Sequence, residues 1–190
     1  WSTALSTLHA GAPAPVLAAT ETTVGALSTV AAITATSYRP ANGAVYPSGD
    51  LGDTLKDVAR IIKSGLGVQA VTLDVGNWDM HAGLGPTGNP RAGWMWNQLV
   101  ELGSALAAFA KDMGTGMNST TVVTLSEFGR RAYENDSNGV DHGWGNATFV
   151  LGGGVNGGHV YGTWPGLGVD DMVDGDLAVT TDYRTVLADI

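Results

Sequence analysis

Hydrophobic positions recur at helical spacing in two stretches of the chain. Leu99, Leu102, Leu106, Phe109 and Met113 follow steps of 3, 4, 3 and 4, which predicts one helix over 94–113 with a single apolar stripe turned to the core. Leu55, Val58, Ala59, Ile62 and Leu66 repeat in the same way. They follow Thr54-Leu55-Lys56-Asp57, which has the form of a capping box, so a second helix is predicted over 54–64 with its stop at Gly65. Three short runs read instead as buried strands: Val68 to Val75, ending at Gly76; Thr121 to Leu125; and Ala147 to Leu151, ahead of Gly152-Gly153-Gly154. Thr180-Thr181-Asp182 before Tyr183, Val186 and Leu187 marks the capped start of a last helix.

Strand, helix and strand in this order imply a right-handed parallel crossover and place the chain in the α/β class. In open α/β sheets the site lies beyond the carboxyl ends of the strands, here the loops that begin at Gly76 and Ser126. The segment before Asp53 has a different texture. It is rich in Ala, Thr, Ser and Gly and carries turn signals at Gly11-Ala12-Pro13, Arg39-Pro40 and Pro47-Ser48-Gly49. Residues 1–53 are therefore expected to be an irregular segment with one or two short elements, belonging to the same domain as the core, 54–190.

A length of 190 residues suits one domain, and the final helix runs to Ile190 without a stop signal, so a portion of a larger domain is expected. Charged residues are only 14%, and Gly, at 28, is about double its usual ~7% share, which describes a loop-rich globular chain. The net charge of -9 repels a phosphate backbone and argues against nucleic acid as a partner. With no Cys, a metal would be held by carboxylate, imidazole or carbonyl groups. The apolar stretch Val24 to Ala35 falls short of the ~20 residues of a membrane span, so no span is expected. The chain starts at Trp1 and has no basic residue before Arg39, which fits a processed or cut chain without a readable export signal.

Asp79 and His81 follow the first strand, Glu127 follows the second, and Asp141 and His142 lie in the loop leading to the third. Such a mixed oxygen and nitrogen set suits Zn, Mn or Fe, with Ca or Mg if the imidazoles do not ligate. The plain alternative is a set of surface Asp and His residues capping backbone groups in loops. Asp170-Asp171-Met172-Val173-Asp174-Gly175-Asp176 lacks the spacing of an EF-hand and reads as a solvated acidic turn. The Gly152 to Gly158 run has no following Lys-Ser/Thr and reads as a turn rather than a phosphate loop. Trp78, Trp94, Trp96, Trp144 and Trp164 suit packing as well as a sugar platform, and His159 reads as structural.

Five ordered motifs over about 68–190 resemble the DUF1501 family: Asn77-Trp78-Asp79-Met80-His81, Ser126-Glu127-Phe128-Gly129-Arg130, Gly139-Val140-Asp141-His142-Gly143, Leu151-Gly152-Gly153-Gly154 with Gly157-Gly158, and Thr180-Thr181-Asp182-Tyr183-Arg184. That family is similar to the alkaline phosphatase and sulfatase superfamily. The resemblance implies a three-layer α/β fold with a mainly parallel sheet, and a metal-dependent hydrolase of phosphate or sulfate esters using a Ser, Thr or water nucleophile. It implies Asp79, His81 and His142 as ligands of one divalent metal, Zn or Mn foremost, and Glu127 as a ligand of a second. Asp141 is implied as a ligand or as the partner that orients His142, and Arg130 as the holder of an anionic ester oxygen. It also implies a periplasmic or extracellular location.

Asn77 and Met80 stand where the family has Gly and Thr, and Phe128 stands where the superfamily has a second-metal His. Residues 1–67 offer no convincing nucleophile, and Ser126 reads as a turn residue. These departures define a rival expectation: an inactive structural or assembly protein of the same fold, forming a homo-oligomer, filament or lattice.

Overall fold

The computed structural model describes all 190 residues. Its centre is the packing of α3 (Asp50–Lys63) on α4 (Trp94–Met113), which run in the same direction: the start of α3 lies by Glu101, and Lys63 at its end bonds Asp112. Leu55 and Ala59 of α3 meet Ala105, Phe109 and Met113 of α4 in one buried cluster, with Leu73 and Val122 against its edge. The hydrophobic stripe of 94–113 thus forms the helix that its spacing predicts, with identical bounds. Helix α3 starts one turn before the predicted Thr54. Gly49, at φ 132°, provides the turn into it, and Asp50 and Asp53 sit in the first turn, where they complement the helix dipole, with Arg60 and Lys63 in the last. The predicted stop holds: Ser64 caps the end and Gly65 follows at φ 73°.

Asp112 lies on the same helix and is only 1% exposed. Its carboxylate accepts from the Tyr38 hydroxyl at 2.8 Å, the Tyr46 hydroxyl at 2.9 Å and the Ala41 N–H at 2.7 Å, and it also bonds Lys63. This group ties residues 38–46 to the helix pair. Burial pulls the Asp112 carboxyl upward, but Lys63, Ala41 N–H and the two tyrosines outweigh it, and its pKa lies below the ordinary 3.8.

The expectation of irregular structure through residue 53 gives way to helix over much of its length. Helix α1 spans Ser2–Leu8 and α2 spans Ala14–Thr34, with Pro13 before it. The hydroxyls of Thr20, Thr22, Thr23, Ser28, Thr29 and Thr34 all bond to carbonyls four residues back, so these polar residues do not interrupt the helix. The same fact corrects the estimate that this stretch is too short to span a membrane. At 21 residues, with no buried residue, α2 is long and apolar enough to do so by length and composition.

The strands are shorter than predicted and their pairing differs. β1 (Thr121–Val123) pairs antiparallel with β4 (Val150–Gly152), and β2 (Gly129–Arg130) pairs antiparallel with β3 (His142–Gly143). Residues 68–75 join no ladder, and β1 pairs with β4 alone. The closing helix α5 (Tyr183–Ala188) starts where predicted, with Asp182 accepting from the Arg184 N–H at 2.9 Å.

Candidate metal centre

Two loops build the centre. The first follows the extended segment 68–75 and carries Asp79, Met80 and His81; the second is the hairpin of β2 and β3. Register in that hairpin sets Arg130 opposite His142 and Gly129 opposite Gly143. The loops are stitched by Val140 N–H to Met80 O at 3.0 Å and Leu84 N–H to Asn138 O at 2.8 Å. Arg130 adds Nη1 to Val140 O at 3.0 Å and Nη2 to Trp78 O at 2.8 Å. Met80 is 0% exposed and fills the space beneath the junction. Gly139 permits the close approach, since a Cβ there would lie 2.2 Å from the carbonyl carbon of His81.

Docking of the loops brings Asp79, His81 and His142 together, with ligand atoms of all three within 4.8 Å of one another. Asp79 Oδ1 is 3.0 Å from His81 Nε2, 2.9 Å from His142 Nε2 and 2.7 Å from Arg130 Nη2. Asp141 Oδ1 lies 2.8 Å from His81 Nδ1, on the far side of the ring. Phe128 stacks on His142 with ring centroids 3.8 Å apart and fixes its plane. Arg130, and after it His142, hold the Asp79 carboxyl at about 2, so it is ionised at any ordinary pH. The side chain is 60% exposed, so water screens this interaction. His81, and after it Asn135, likewise hold Asp141 below the ordinary carboxylate range.

One carboxylate oxygen and two imidazole nitrogens form a ligand set suited to a divalent transition ion, with further positions open to solvent. Asp141 has the geometry of a partner that orients a ligand. A proton on His81 Nδ1 directed at Asp141 leaves the Nε2 lone pair facing Asp79. It is His81 rather than His142 that Asp141 bonds. Glu127 is exposed and stands outside the cluster. The Arg130 guanidinium spends donors on Trp78 O, Val140 O and Asp79 Oδ1, so most of its hydrogen bonding is internal. The Ser126 hydroxyl bonds Phe128 O at 2.6 Å, as a turn residue does.

Two residues of consequence escape the sequence patterns. Asn135 bonds Asp141 and stands in a turn-rich run, Asn135-Asp136-Ser137-Asn138-Gly139, whose composition signals a turn but not a partner. Asp112 gives no signal, being one polar position beside the apolar stripe of α4.

Helices packed beside two small antiparallel sheets, with a solvent-open carboxylate and imidazole cluster where two loops meet, define the class of protein in structural terms. The family model described as protein of unknown function (DUF1501) matches residues 27–188, and the chain belongs to that family. No curated protein and no solved structure matches it.

Proposed function

We propose that this protein is a metal-dependent hydrolase of phosphate or sulfate esters, with the alkaline-phosphatase-like, mainly parallel α/β arrangement that its motifs resemble. The observation that carries the reading is the convergence of Asp79, His81 and His142 within 4.8 Å. These three side chains would hold one divalent ion, Zn or Mn foremost, and Asp141 would orient His81 toward it. A divalent ion in such a set supplies Lewis-acid polarisation of an ester oxygen. Asp79 stays anionic, Phe128 holds the plane of His142, and the remaining Arg130 donors lie beside the cluster for an anionic oxygen. With the Ser126 hydroxyl engaged on Phe128 O, water is the nucleophile in this reading. The small anionic ester substrate and a periplasmic or extracellular location belong to the same reading.

Elemental mass spectrometry of the purified protein tests it, alongside hydrolysis of p-nitrophenyl phosphate and p-nitrophenyl sulfate. Near-stoichiometric Zn or Mn is expected in the wild type, and a His81→Ala, His142→Ala double variant should lose both metal and turnover. A wild type that stays metal-free after incubation with either ion defeats the proposal.

One observation favours a second reading, an inactive assembly protein. The chain exposes 12797 Å², whereas a folded monomer of its mass exposes about 8,500 Å². An excess of that size suits a large protein interface. Light scattering on the eluting protein decides this: a stable homo-oligomer without bound metal or turnover supports the second reading, and a monodisperse monomer removes its support.

A further inference from the structure

The loop between β2 and β3 has one side chain at its centre. Asn135 Oδ1 accepts from the Ser137 N–H and the Gly139 N–H, each at 3.0 Å, and the Asn135 N–H donates to Gly139 O at 2.8 Å. Its Nδ2 donates to His81 O at 3.0 Å and to Asp141 Oδ1 at 2.9 Å. Two N–H donors at one end of the amide and two oxygens at the other fix which end is which. The side chain is half-buried and all four of these contacts are met, so it has a single arrangement.

Asp141 Oδ1 receives two side-chain contacts, from Asn135 Nδ2 and from His81 Nδ1. His81 Nδ1 meets Asp141 in hydrogen-bond geometry at 2.8 Å, whereas Asp79 Oδ1, though 3.0 Å from Nε2, makes its hydrogen bonds with Arg130 and His142. We propose that Asn135 is a positioning residue for the centre: it holds Asp141 against His81 Nδ1, keeps the imidazole proton there and leaves Nε2 as the ligand atom. The inference rests on the metal-site reading for its purpose, but the tautomer is a property of the metal-free protein and is measured without it. A general precedent in physical terms is that partners of a ligating imidazole set its tautomer and orientation, and their loss weakens metal binding roughly 10- to 100-fold.

Two variants separate positioning from folding. Asn135→Ala removes every side-chain contact. Asn135→Asp keeps an oxygen for the Ser137 and Gly139 N–H groups but replaces the donor to Asp141 with a second carboxylate oxygen. Long-range proton–nitrogen correlation of the His81 ring, in chelator-treated protein above the imidazole titration range, reads the tautomer directly. Zn titration by calorimetry reads the affinity. In wild type the proton should sit on Nδ1; in both variants the Nδ1 form should lose its dominance, and Zn should bind roughly 10- to 100-fold more weakly.

Retention of the Nδ1 proton in both variants overturns the proposal, as does collapse of the amide spectrum in both, which would make Asn135 purely structural. Failure of wild type to bind Zn would count against the hydrolase reading alone, and the tautomer comparison would still decide the role of Asn135.

Discussion

The Tyr46 hydroxyl donates to Asp112 Oδ2 at 2.9 Å across 66 positions of sequence. With Tyr38, Ala41 and Lys63 it encloses a carboxylate that has no contact with water. Replacing Asp112 with Ala strands these donors and leaves the Lys63 ammonium without its partner. The expected loss is about 3–5 kcal/mol, the range for breaking a buried ion pair from one side. Urea unfolding followed by circular dichroism measures it, and a loss below about 1 kcal/mol would show that the network contributes little.

The same carboxylate makes stability fall in acid. Asp112 has a folded-state pKa below its ordinary 3.8, so its contribution is complete above that value and is lost as pH falls through it toward the folded pKa. Asp112→Asn cannot titrate there. The stability gap between wild type and Asp112→Asn should be constant from neutral pH down to about 5 and shrink below 4. Denaturant midpoints at a series of pH values check the sign, and a gap that widens in acid would contradict it.

Gly139→Ala should damage the centre and spare the core. The new Cβ would meet the backbone of His81 and Ala82, at 2.2 to 2.4 Å, and backbone cannot rotate away. Separation of the two loops should weaken Zn binding on the order of tenfold or more. Melting of the α3–α4 pair, which lies elsewhere, should change far less. Calorimetric titration and thermal unfolding of one preparation give both numbers.

Glu127 and Asp79 should behave oppositely. Asp79→Ala removes an oxygen shared by both imidazoles and Arg130 and should abolish stoichiometric metal. Glu127→Ala should leave that ion in place, since Glu127 stands outside the cluster. Metal analysis of the two variants distinguishes them, and loss of the same ion from Glu127→Ala would show that the carboxylate reaches it after all.

Legibility in the sequence follows the range of the interactions involved. The α4 stripe is local, because a period of 3.6 imposed by five apolar residues is decided within the helix itself, and 94–113 is recovered to the residue. Strand pairing is not local. Val68 to Val75 has strand composition, but a ladder also needs a partner brought from elsewhere in the chain, and the only partner of β1 is β4. The N-terminal segment misleads for another reason: Thr and Ser normally compete with helix, yet in α2 their hydroxyls are absorbed by the preceding turn. At the centre, Asp79, His81 and His142 stand out as chemistry-bearing residues beside turns. Asn135 does not, because its importance arises only when the 131–141 loop folds back onto His81.

Arg130 gives the centre a property that a bare ligand set would lack. Its guanidinium already lies 2.7 Å from Asp79 Oδ1, so a cation arriving from solution meets a carboxylate that is in use. In the proposed metal-site reading, capture would be an exchange of one positive group for another, not the filling of an empty seat. A monovalent ion brings no more charge than the guanidinium it would displace, whereas a divalent ion brings twice as much, concentrated on one atom. In that reading Arg130 is thus a built-in competitor, and Zn binding should hold in excess sodium or potassium.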